Sequence, residues 1–525
     1  MNITMEDATH KAKRHLLTLL FSRTIVFCLL VLVQIAIFVF GILYMTEYQT
    51  TFYIVMTIIS FGVVIHIINK KGNPAFKMAW IIPILLVPVV GASLYIFCTL
   101  QLRTRYLAER LITLGKETDP YMEQDKEVLE ELRATKPANA NLAYFLRNQV
   151  GYPLYQNTSI RYFPLGEKKF QELLTQLNRA EKFIFMEYFI IEKGVMWAAV
   201  LEVLEKKVKE GVEVRLMYDG TCEIDMLPEH YPRYLKSLGI QCKVFSPIKP
   251  ILSTHQNNRD HRKICVIDGK VAFTGGVNLG DEYINQKKRF GHWKDTAIML
   301  EGDAVQSFTI MFLQMWNITN NTHKYPEQYE NYLTTPAEGK RSALGYVIPY
   351  GDSPYDDENV GEQVYLHILS HSKKYVHIVT PYLIIDNEML TNLVYTAKCG
   401  IEVIIIMPHI PDKWYAFALA KTYYAELLEA GVQIYEYTPG FVHAKMFVSD
   451  DDTATVGTIN LDYRSLYLHF ECGAFIYSNP VVKEVEKDFQ DTLRKSQKVT
   501  LAEVKNRPFI IKAVGNVLRL IAPLM

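Results

Sequence analysis

The chain has 525 residues, of which 49% are hydrophobic and 21% are charged. This length is enough for two domains and a membrane region, and the apolar excess lies at the N-terminal end. The 56 basic and 56 acidic residues give a formal net charge of zero, so no general basic field favours a nucleic-acid partner. The seven cysteines are scattered and form no C-x-x-C pair, which argues against a disulfide framework or a metal site.

Three apolar runs without charges occupy the first hundred residues, at 24–44, 52–68 and 78–100. A membrane-spanning helix needs about twenty residues, so the first and third runs qualify and the second is marginal. The first run is too long for a signal peptide and no small-x-small site follows it. The sequence predicts a membrane-anchoring region over 1–100 with two to three hydrophobic helices. Pro83 and Pro88 leave open that the third run is a hairpin or an interfacial element.

Basic residues flank these runs. The clusters are Lys11, Lys13, Arg14 and Arg23 before the first run, Lys70, Lys71 and Lys77 before the third, and Arg103, Arg105 and Arg110 after it. Cytoplasmic flanks are enriched in Lys and Arg, so the N-terminus is expected in the cytoplasm. Three full spans would leave one cluster outside, whereas a hairpin third run or a non-spanning second run would not. The expected location is the cell membrane, multi-pass, with the rest of the chain on the cytoplasmic side.

The composition then divides the chain into further segments. Residues 101–143 form a charged linker, and 144–317 alternate apolar strands with amphipathic helices, which is typical of an α/β domain. Residues 318–342 are rich in Asn, Thr, Tyr, Pro and Glu and indicate an inter-domain linker. A second α/β domain covers 343–497, and 498–525 form a C-terminal tail.

The tail contains a predicted amphipathic helix. Ile510, Val514, Val517 and Ile521 share one helical face, and Lys512, Asn516 and Arg519 lie away from it. Such a helix either packs on the protein core or lies on a membrane surface, and the sequence leaves both alternatives open.

A histidine motif stands in the first domain. It consists of His261, Lys263, Asp268, Gly275, Gly276 and Asn278. The apolar, β-branched run after His261 predicts a strand, and Asp268-Gly269 predicts a turn into the next strand. Alternate residues of a strand share a face, so His261 and Lys263 project together. An imidazole beside an ammonium group suits an oxyanion with several oxygens.

The same spacing, H-x-K-x4-D-x6-G-[G/T]-x-N, returns 182 residues later. The second copy consists of His443, Lys445, Asp450, Gly457, Thr458 and Asn460. Upstream, 182–191 are similar to 374–385, and 211–219 are similar to 400–408. Two copies of so specific a spacing indicate one domain duplicated and a catalytic pair of motifs.

These twin motifs resemble those of the phospholipase D superfamily, in which H-x-K-D motifs meet at one active site. Within it the chain is similar to the bacterial cardiolipin synthases, including 382–386 and Asn460-x-Asp462-x-Arg464-Ser465. The resemblance implies two phospholipase D-like α/β domains around one shared active site, preceded by transmembrane helices. Thr458 stands where that family usually has Ser, and His469 stands where Asn is common.

A phosphodiester repels nucleophiles, so its charge must be neutralised. Lys263 and Lys445 supply charge, and Asn278 and Asn460 supply amide donors. One histidine forms a covalent phosphohistidine, and the other protonates the leaving alkoxide and then activates the acceptor hydroxyl. The resemblance implies that His261 is the nucleophile and His443 the acid and base, although the near-symmetric motifs allow either order.

Further acidic residues accompany the motifs. Asp295 and Glu471 match positions that orient the histidines in the resembled family. Asp268 and Asp450 are counted among the candidate catalytic residues as members of the motifs, but they stand beside turns, where structural hydrogen bonding is expected more than direct chemistry. Lys and Asn replace a divalent ion and no His/Asp/Glu ligand cluster is recognisable, so the sequence predicts neither metal nor cofactor. His255 and His292 are interpreted as loop histidines.

The resemblance implies a phosphatidyltransferase that makes cardiolipin and glycerol from two phosphatidylglycerols. Its partners would be phosphatidylglycerol, as donor and acceptor, and the lipid bilayer, with no nucleic acid; the oligomeric state stays open. The alternatives are a hydrolytic phospholipase D, a membrane-tethered phosphodiesterase or nuclease, and a catalytically dead scaffold. Neutral charge and an apolar anchor argue against the nuclease, and two complete motifs argue against the scaffold.

Overall fold

The computed structural model describes residues 49–99, 102–247, 257–319, 327–334, 345–356 and 358–524, together with Leu32 and Ala36. The chain divides into two units. The first comprises Met1–Tyr106, Ile248–Asn257 and Leu520–Met525, and the second comprises Leu107–Pro247 and Asn258–Arg519. Apart from Leu32 and Ala36, the predicted apolar run 24–44 lies outside the described residues, as does His255.

The described part of the first unit is helical. Its helices are α1 (Gln49–Asn69), α2 (Pro74–Leu86) and α3 (Pro88–Thr99). Helix α2 begins where the Asn73 side chain accepts a hydrogen bond from the Ala75 N–H at 2.9 Å, and Pro74 occupies the first helical position. A Cβ atom at Gly91 would lie 2.6 Å from Ile84 Cα, so glycine lets α3 approach α2 closely. Val64, Ile67, Ile84, Ala92 and Tyr95 form the core.

The third apolar run is not one helix. It breaks at Val87, whose φ and ψ are −139° and 71°, immediately before Pro88. Helices α2 and α3 have 13 and 12 residues, fewer than the roughly twenty that a span requires. Of the two alternatives left open for this run, a single spanning helix does not fit, and the helix pair fits the hairpin. In the described part of the chain, no helix combines the length and apolar character needed to cross a membrane.

Three further helices precede the first sheet: α4 (Leu102–Thr118), α5 (Lys126–Thr135) and α6 (Pro137–Phe145). Helix α5 is capped by Asp125, whose carboxylate accepts from the Glu127 N–H at 2.9 Å and the Val128 N–H at 3.3 Å. The cap fixes the start of a helix inside the segment predicted as a charged linker.

The first half of the second unit is built on a seven-stranded sheet. Its strands are β1 (Thr158–Phe163), β2 (Phe183–Tyr188), β3 (Glu213–Asp219), β4 (Gln241–Phe245), β5 (Lys263–Ile267), β6 (Val271–Gly275) and β8 (Ala297–Gly302), and the short β7 (His292–Lys294) lies outside it. The helices are α7 (Gly166–Arg179), α8 (Val195–Lys209), α9 (Cys222–Asp225), α10 (Tyr231–Ser237) and α11 (Val305–Asn317). Strand β2 is buried along its whole length, as expected for a strand covered on both faces.

The second half repeats this plan. Its strands are β9 (Tyr346–Asp352), β10 (Tyr375–Val379), β11 (Leu383–Ile384), β12 (Glu402–Pro408), β13 (Gln433–Tyr437), β14 (Gly440–Val442), β15 (Met446–Ser449), β16 (Thr453–Gly457), β17 (Leu461–Asp462), β18 (Glu471–Tyr477) and β19 (Ser496–Lys498). The helices are α12 (Val360–His371), α13 (Asn387–Lys398), α14 (Trp414–Ala420), α15 (Tyr424–Glu429), α16 (Tyr463–Tyr467), α17 (Val481–Leu493), α18 (Leu501–Lys505) and α19 (Phe509–Ile521).

The two sheets have the same strand order. The first runs β1-β8-β6-β5-β2-β3-β4, and the second runs β9-β18-β16-β15-β10-β12-β13, with β19 added at the edge. In both, the three strands at one side are parallel and the motif hairpin, β5–β6 or β15–β16, is antiparallel. The prediction of a duplicated α/β domain is confirmed.

The halves share a core and a strand pair. Apolar side chains from both sheets and almost all of α11 form one buried cluster. Strand β7 of the first half pairs in parallel with β14 of the second, and a single bridge joins Asp260 to Phe470. These two contacts bring the motif histidines to the junction of the halves.

Candidate active site

Each motif histidine is held through its backbone by the opposite half. The His261 N–H donates to the Phe470 carbonyl at 2.9 Å, and the His443 N–H donates to the Lys294 carbonyl at 2.7 Å. Phe470 and Lys294 each immediately precede an acidic residue, so the same pairing delivers that acid to the histidine.

The acidic side chains cross between the halves. His261 Nδ1 lies 2.8 Å from Glu471 Oε1, and His443 Nδ1 lies 2.7 Å from Asp295 Oδ2. Both carboxylates are fully buried. A carboxylate at Nδ1 fixes the proton on that nitrogen and leaves the Nε2 lone pair available. Among the described residues neither Nε2 has a hydrogen-bond partner, so both are open to a ligand.

Burial and nearby cations keep both imidazoles neutral. Burial lowers the pKa of His261 well below its usual range, and Lys263 and Lys445 lower it further. Burial and Lys445 lower the pKa of His443 to about 4, although Asp295 opposes the shift. Burial raises the pKa of the Asp295 carboxyl, but His443 and Lys445 outweigh it and hold that pKa below its ordinary value. The carboxylate is therefore ionised and the histidines are unprotonated near neutral pH.

The two motif lysines are buried beside the histidines. The ammonium group of Lys263 donates to the His261 carbonyl, and that of Lys445 donates to the His443 carbonyl. Burial lowers the pKa of Lys263 to about 8 and that of Lys445 to about 7. Each ammonium group has further N–H donors, so the centre offers positive charge to an anion.

The two motif asparagines differ in their contacts. Asn278 Oδ1 accepts from the Ile190 N–H at 3.0 Å, and its amide nitrogen donates to the Tyr283 hydroxyl at 2.7 Å. This leaves Asn278 one N–H group. Asn460 is buried, and its Oδ1 has no partner within the described ranges. Of the two asparagines predicted to contact the substrate, Asn460 has fewer hydrogen bonds to the described protein groups.

A family model described as "Cardiolipin synthase, PLD-like domain" matches residues 173–316 and 365–493, which include both motifs and both crossed acids. The chain belongs to the cardiolipin synthase family of phospholipase D-like enzymes. This confirms the family predicted from the twin motifs. A second model, described as "Phospholipase_D-nuclease N-terminal", matches residues 58–98.

Individual proteins support the same family. Cardiolipin synthase 2 of Bacillus anthracis is 34% identical over 469 residues, covering 88% of this chain and 89% of its own. An uncharacterized protein of Streptococcus mutans is 49% identical over 465 residues, covering 88% of this chain and 100% of its own. The crystal structure of phosphatidylserine synthase from Haemophilus influenzae is 15% identical, with a TM-score of 0.55, and covers 75% of this chain and 100% of its own. This last likeness supports the fold.

The motif aspartates lie at turns. The Asp268 carboxylate accepts from the N–H groups of Glu181, Lys182 and Phe183 at 2.7–2.9 Å. The Asp450 carboxylate accepts equivalently from 373–375 at 2.7–3.1 Å. Both aspartates have positive φ, 54° in each case. Their carboxylates accept hydrogen bonds from backbone donors, which is consistent with the structural hydrogen bonding expected beside these turns.

In each half, the residue after the first motif glycine lies beside the acidic residue that binds the opposite histidine. Thr458 donates its hydroxyl hydrogen to Glu471 and accepts from the Cys472 N–H at 3.0 Å. At the equivalent position in the first half, a Cβ atom on Gly276 would lie 2.0 Å from Asp295 Oδ1. Glycine is therefore required beside Asp295, whereas a hydroxyl group fits beside Glu471. Thr458 keeps the hydroxyl group of the Ser that is usual at this position in the resembled family, and that hydroxyl makes the contact with Glu471.

Aromatic rings that the motif does not include surround the histidines. Phe189 and His469 lie 4.8 and 5.5 Å from His261 between ring centroids, and Trp293 and Tyr283 lie 5.2 and 5.7 Å from His443. For two of these rings the sequence gives a signal in their position. Trp293 stands two residues before Asp295, and His469 stands two residues before Glu471.

The prediction that no His/Asp/Glu ligand cluster exists is wrong in three dimensions. Ligand atoms of His261, His469 and Glu471 lie within 4.8 Å of one another, although the first is far from the others in sequence. Glu471 already binds His261 and Thr458, and two lysines share the centre. This charge distribution favours an anion over a metal cation.

A separate cleft of about 1100 Å³ is lined by residues that include Arg161, Lys294, Tyr437 and Asp488. Lys294 Nζ and Asp488 Oδ2 form a 2.6 Å ion pair at its wall. None of the motif histidines, lysines or asparagines lines it, so it is distinct from the histidine centre.

Proposed function

We propose that the enzyme transfers a phosphatidyl group from one phosphatidylglycerol to another, giving cardiolipin and glycerol through a covalent phosphohistidine. The observation that carries the proposal is the crossed pair of histidine–carboxylate contacts. Two imidazoles, each with Nδ1 bound to a carboxylate and Nε2 open, supply a nucleophile and a proton carrier in one anion-binding centre.

In the first step, His261 Nε2 attacks the donor phosphorus. The P–N bond forms as the P–O bond to the glycerol head group breaks. Lys263 and Lys445 stabilise the non-bridging oxygens, and Asn460 contributes an amide donor. The departing alkoxide takes a proton from His443, whose pKa rises when the phosphodiester anion is bound beside it. Glycerol leaves as a neutral alcohol.

In the second step, neutral His443 accepts the proton of the acceptor's head-group hydroxyl. That oxygen attacks the phosphorus, the P–N bond breaks, and His261 returns to its neutral form. Asp295 stabilises the imidazolium that His443 becomes, and Glu471 holds His261 in the tautomer needed for attack. The products balance two phosphatidylglycerols against one cardiolipin and one glycerol.

We also propose that the enzyme works at the cell membrane, with its catalytic halves on the cytoplasmic side. The charge-free run 24–44 has the roughly twenty residues that a transmembrane anchor needs. Basic clusters flank the apolar runs, as expected for cytoplasmic segments.

The C-terminal helix α19 supports contact with a membrane surface. Phe509, Ile510 and Val517 are 81%, 74% and 62% exposed, so its apolar face is not packed on the core. The opposite face docks instead, where a Cβ atom at Gly515 would meet Thr422 at 2.7 Å. Residues 504–525 contain four basic and no acidic side chains, which suits an anionic lipid surface.

The proposal is tested with the purified full-length protein and vesicles of labelled phosphatidylglycerol, with lipid products separated by chromatography. Cardiolipin and glycerol in equal amounts are expected. His261→Ala and His443→Ala should each abolish their formation, whereas His371→Ala, at an exposed histidine of α12, should not. Phosphatidic acid as the sole product would identify a hydrolase instead, and substantial turnover by either histidine variant would refute the two-histidine mechanism.

A further inference from the structure

His469 is buried beside the proposed nucleophile without a hydrogen-bond partner. Its side chain is 8% exposed, and neither ring nitrogen has a partner within the described ranges. Its Nδ1 lies 3.8 Å from the Oε1 carboxylate oxygen of Glu471, beyond hydrogen-bond distance. Buried polar groups in folded proteins are nearly always satisfied, so two open nitrogens beside an active centre indicate a ligand contact.

The backbone fixes His469 in this place. Its N–H donates to the Arg464 carbonyl at 2.9 Å, where the chain leaves α16. The next residue, Phe470, donates its N–H to the Arg259 carbonyl and accepts from the His261 N–H. The His469 ring therefore sits on the His261 side of the centre, between α16 and the first motif.

Arg464 places a cation in the same region. It lies within α16, four residues after Asn460, and its buried Nε has no partner in the described part of the chain. Its guanidinium group forms no ion pair with a described residue. Burial and the positive charge of Arg464 lower the pKa of His469 to about 3, although Glu471 opposes the shift. Arg464 also contributes to lowering the pKa of His261. Arg464 and His469 are therefore close enough to interact electrostatically, and each has a buried nitrogen without a partner in the described part of the chain.

Arg464 is a third cationic side chain, in addition to the two motif lysines. Lys263 and Lys445 already serve that phosphate, whereas Arg464 stands on the side of His469. A guanidinium group presents N–H donors in a fork that fits two phosphate oxygens, and a neutral imidazole can add one further donor.

We propose that Arg464 and His469 form a second anion subsite, which binds the phosphodiester of the acceptor phospholipid. This inference rests on the proposed function. In the acceptor, only the glycerol head group separates the attacking hydroxyl from its own phosphate. A subsite adjoining His261 can therefore hold that phosphate while the hydroxyl reaches the phosphorus bound to His261.

The subsite gives a basis for choosing lipid over water. Water and simple alcohols carry no phosphate, so they gain nothing from Arg464 and His469. Phosphatidylglycerol is anchored by its phosphate, which raises the local concentration of its hydroxyl at the phosphohistidine. The subsite thus acts on the second step of the reaction and not on the first.

The test compares two acceptors in one assay. Full-length protein is given labelled phosphatidylglycerol in mixed micelles with a fixed concentration of ethanol, and cardiolipin, phosphatidylethanol and phosphatidic acid are quantified. In Arg464→Gln the ratio of cardiolipin to phosphatidylethanol should fall about tenfold to a hundredfold, the effect of losing hydrogen bonds to a charged group. His469→Phe, which keeps the ring, should lower the ratio about threefold to tenfold. His469→Asn, which keeps a donor, should lower it less.

Controls separate the possible failures. Arg494→Gln removes an exposed arginine immediately after α17 and should leave the ratio at the wild-type value. Thermal melting of each variant shows whether it folds, and the product ratio does not depend on the amount of active enzyme. A parallel fall of both products in Arg464→Gln would assign Arg464 to the donor phosphate and overturn the subsite, as would an unchanged ratio. If the wild-type protein forms neither phosphatidylethanol nor cardiolipin, the proposed function itself fails.

Discussion

Trp293 and His469 occupy equivalent positions in the two halves. Each stands two residues before the carboxylate that binds the opposite histidine, and each places its ring 5.2 or 5.5 Å from that histidine. The duplicated centre is therefore symmetric in its histidine–carboxylate contacts but not in the rings that surround them. An indole closes the side of His443, and an imidazole with two open nitrogens faces His261.

The crossed contacts predict different defects for the two acids. Glu471→Gln should slow formation of the covalent intermediate, because His261 loses the carboxylate that fixes its tautomer. Asp295→Asn should impair the proton transfers of His443 in both steps. Each variant is expected to lower turnover by about a hundredfold to ten-thousandfold. Steady-state rates with labelled phosphatidylglycerol measure both losses.

Trapping the intermediate locates the nucleophile. Phosphohistidine is labile in acid and survives base, so mildly alkaline quenching followed by peptide mapping should find the label at His261. After a short reaction time, the amount of label should be much lower in Glu471→Gln than in the wild type. A label at His443 would reverse the order of the two histidines while preserving the mechanism.

Alkaline pH should weaken substrate capture. Lys445 and Lys263 have pKa values of about 7 and about 8 in the free centre, so their charges are lost as the pH rises through that range. A neutral amine no longer attracts the phosphodiester, and kcat/KM should fall above about pH 7, whereas kcat should fall at higher pH because the bound anion raises both pKa values. Initial rates between about pH 6 and 10, at several substrate concentrations, measure the pH dependence of kcat/KM and of kcat.

Stability should change in the opposite direction. An unfolded lysine has a pKa near 10.4, so between about pH 7 and 10 the unfolded chain binds more protons at these lysines than the folded chain does. Their contribution to the free energy of unfolding therefore rises with pH over this window. Melting temperatures of wild type and Lys445→Met, compared across this pH window, isolate the contribution of Lys445.

A kcat/KM that stays level to about pH 9 would contradict the role of the two lysines in substrate capture.

The motif aspartates should matter for stability more than for chemistry. Asp268→Ala leaves three backbone N–H groups without their acceptor and should lower the free energy of unfolding by about 2–4 kcal/mol. Asp450→Ala should behave alike. Chemical denaturation measures the loss, and activity of the fraction that remains folded should stay within a few-fold of wild type. An inactive but fully stable Asp268→Ala would assign this carboxylate to the reaction instead.

The exposed face of α19 should bind anionic vesicles. Ile510→Glu with Val517→Glu places two charges on the apolar face and should reduce vesicle binding of the full-length protein by at least about tenfold. Lys483→Glu, on α17, is the matched charge control. Co-sedimentation with phosphatidylglycerol vesicles, compared with neutral vesicles, gives the measurement. Equal binding by the double variant would indicate that other parts of the chain hold the enzyme at the membrane.

The sequence predicted what depends on local spacing. Within one strand, His261 and Lys263 are two residues apart, so their common face follows from the alternation of a strand. The repeated spacing likewise predicted the duplicated sheet. The acids Asp295 and Glu471 were identified by resemblance, but their crossed assignment depends on the pairing of β7 with β14, which no local pattern encodes.

Other features depended on tertiary contacts. The amide of Asn278 is engaged because Tyr283 and Ile190 lie within reach in the fold. The ligand cluster at His469 was hidden because its members come from separate halves. The break at Val87 had a local signal in Pro88, which kept the hairpin alternative open, but composition alone did not decide between the alternatives. The unburied face of α19 could not be distinguished from a packed one by periodicity alone, since both require the same pattern.

The crossed pairing also bears on synthesis of the protein. During translation the first half emerges from the ribosome before β14 and Glu471 are synthesised. The histidine, lysine and asparagine of the first motif are then already present. Until the second half folds against it, His261 lacks both its carboxylate and the carbonyl that holds its backbone. Under the proposed mechanism, a nascent or truncated chain cannot attack membrane lipids. Activity begins only when the last strands of the second sheet are in place.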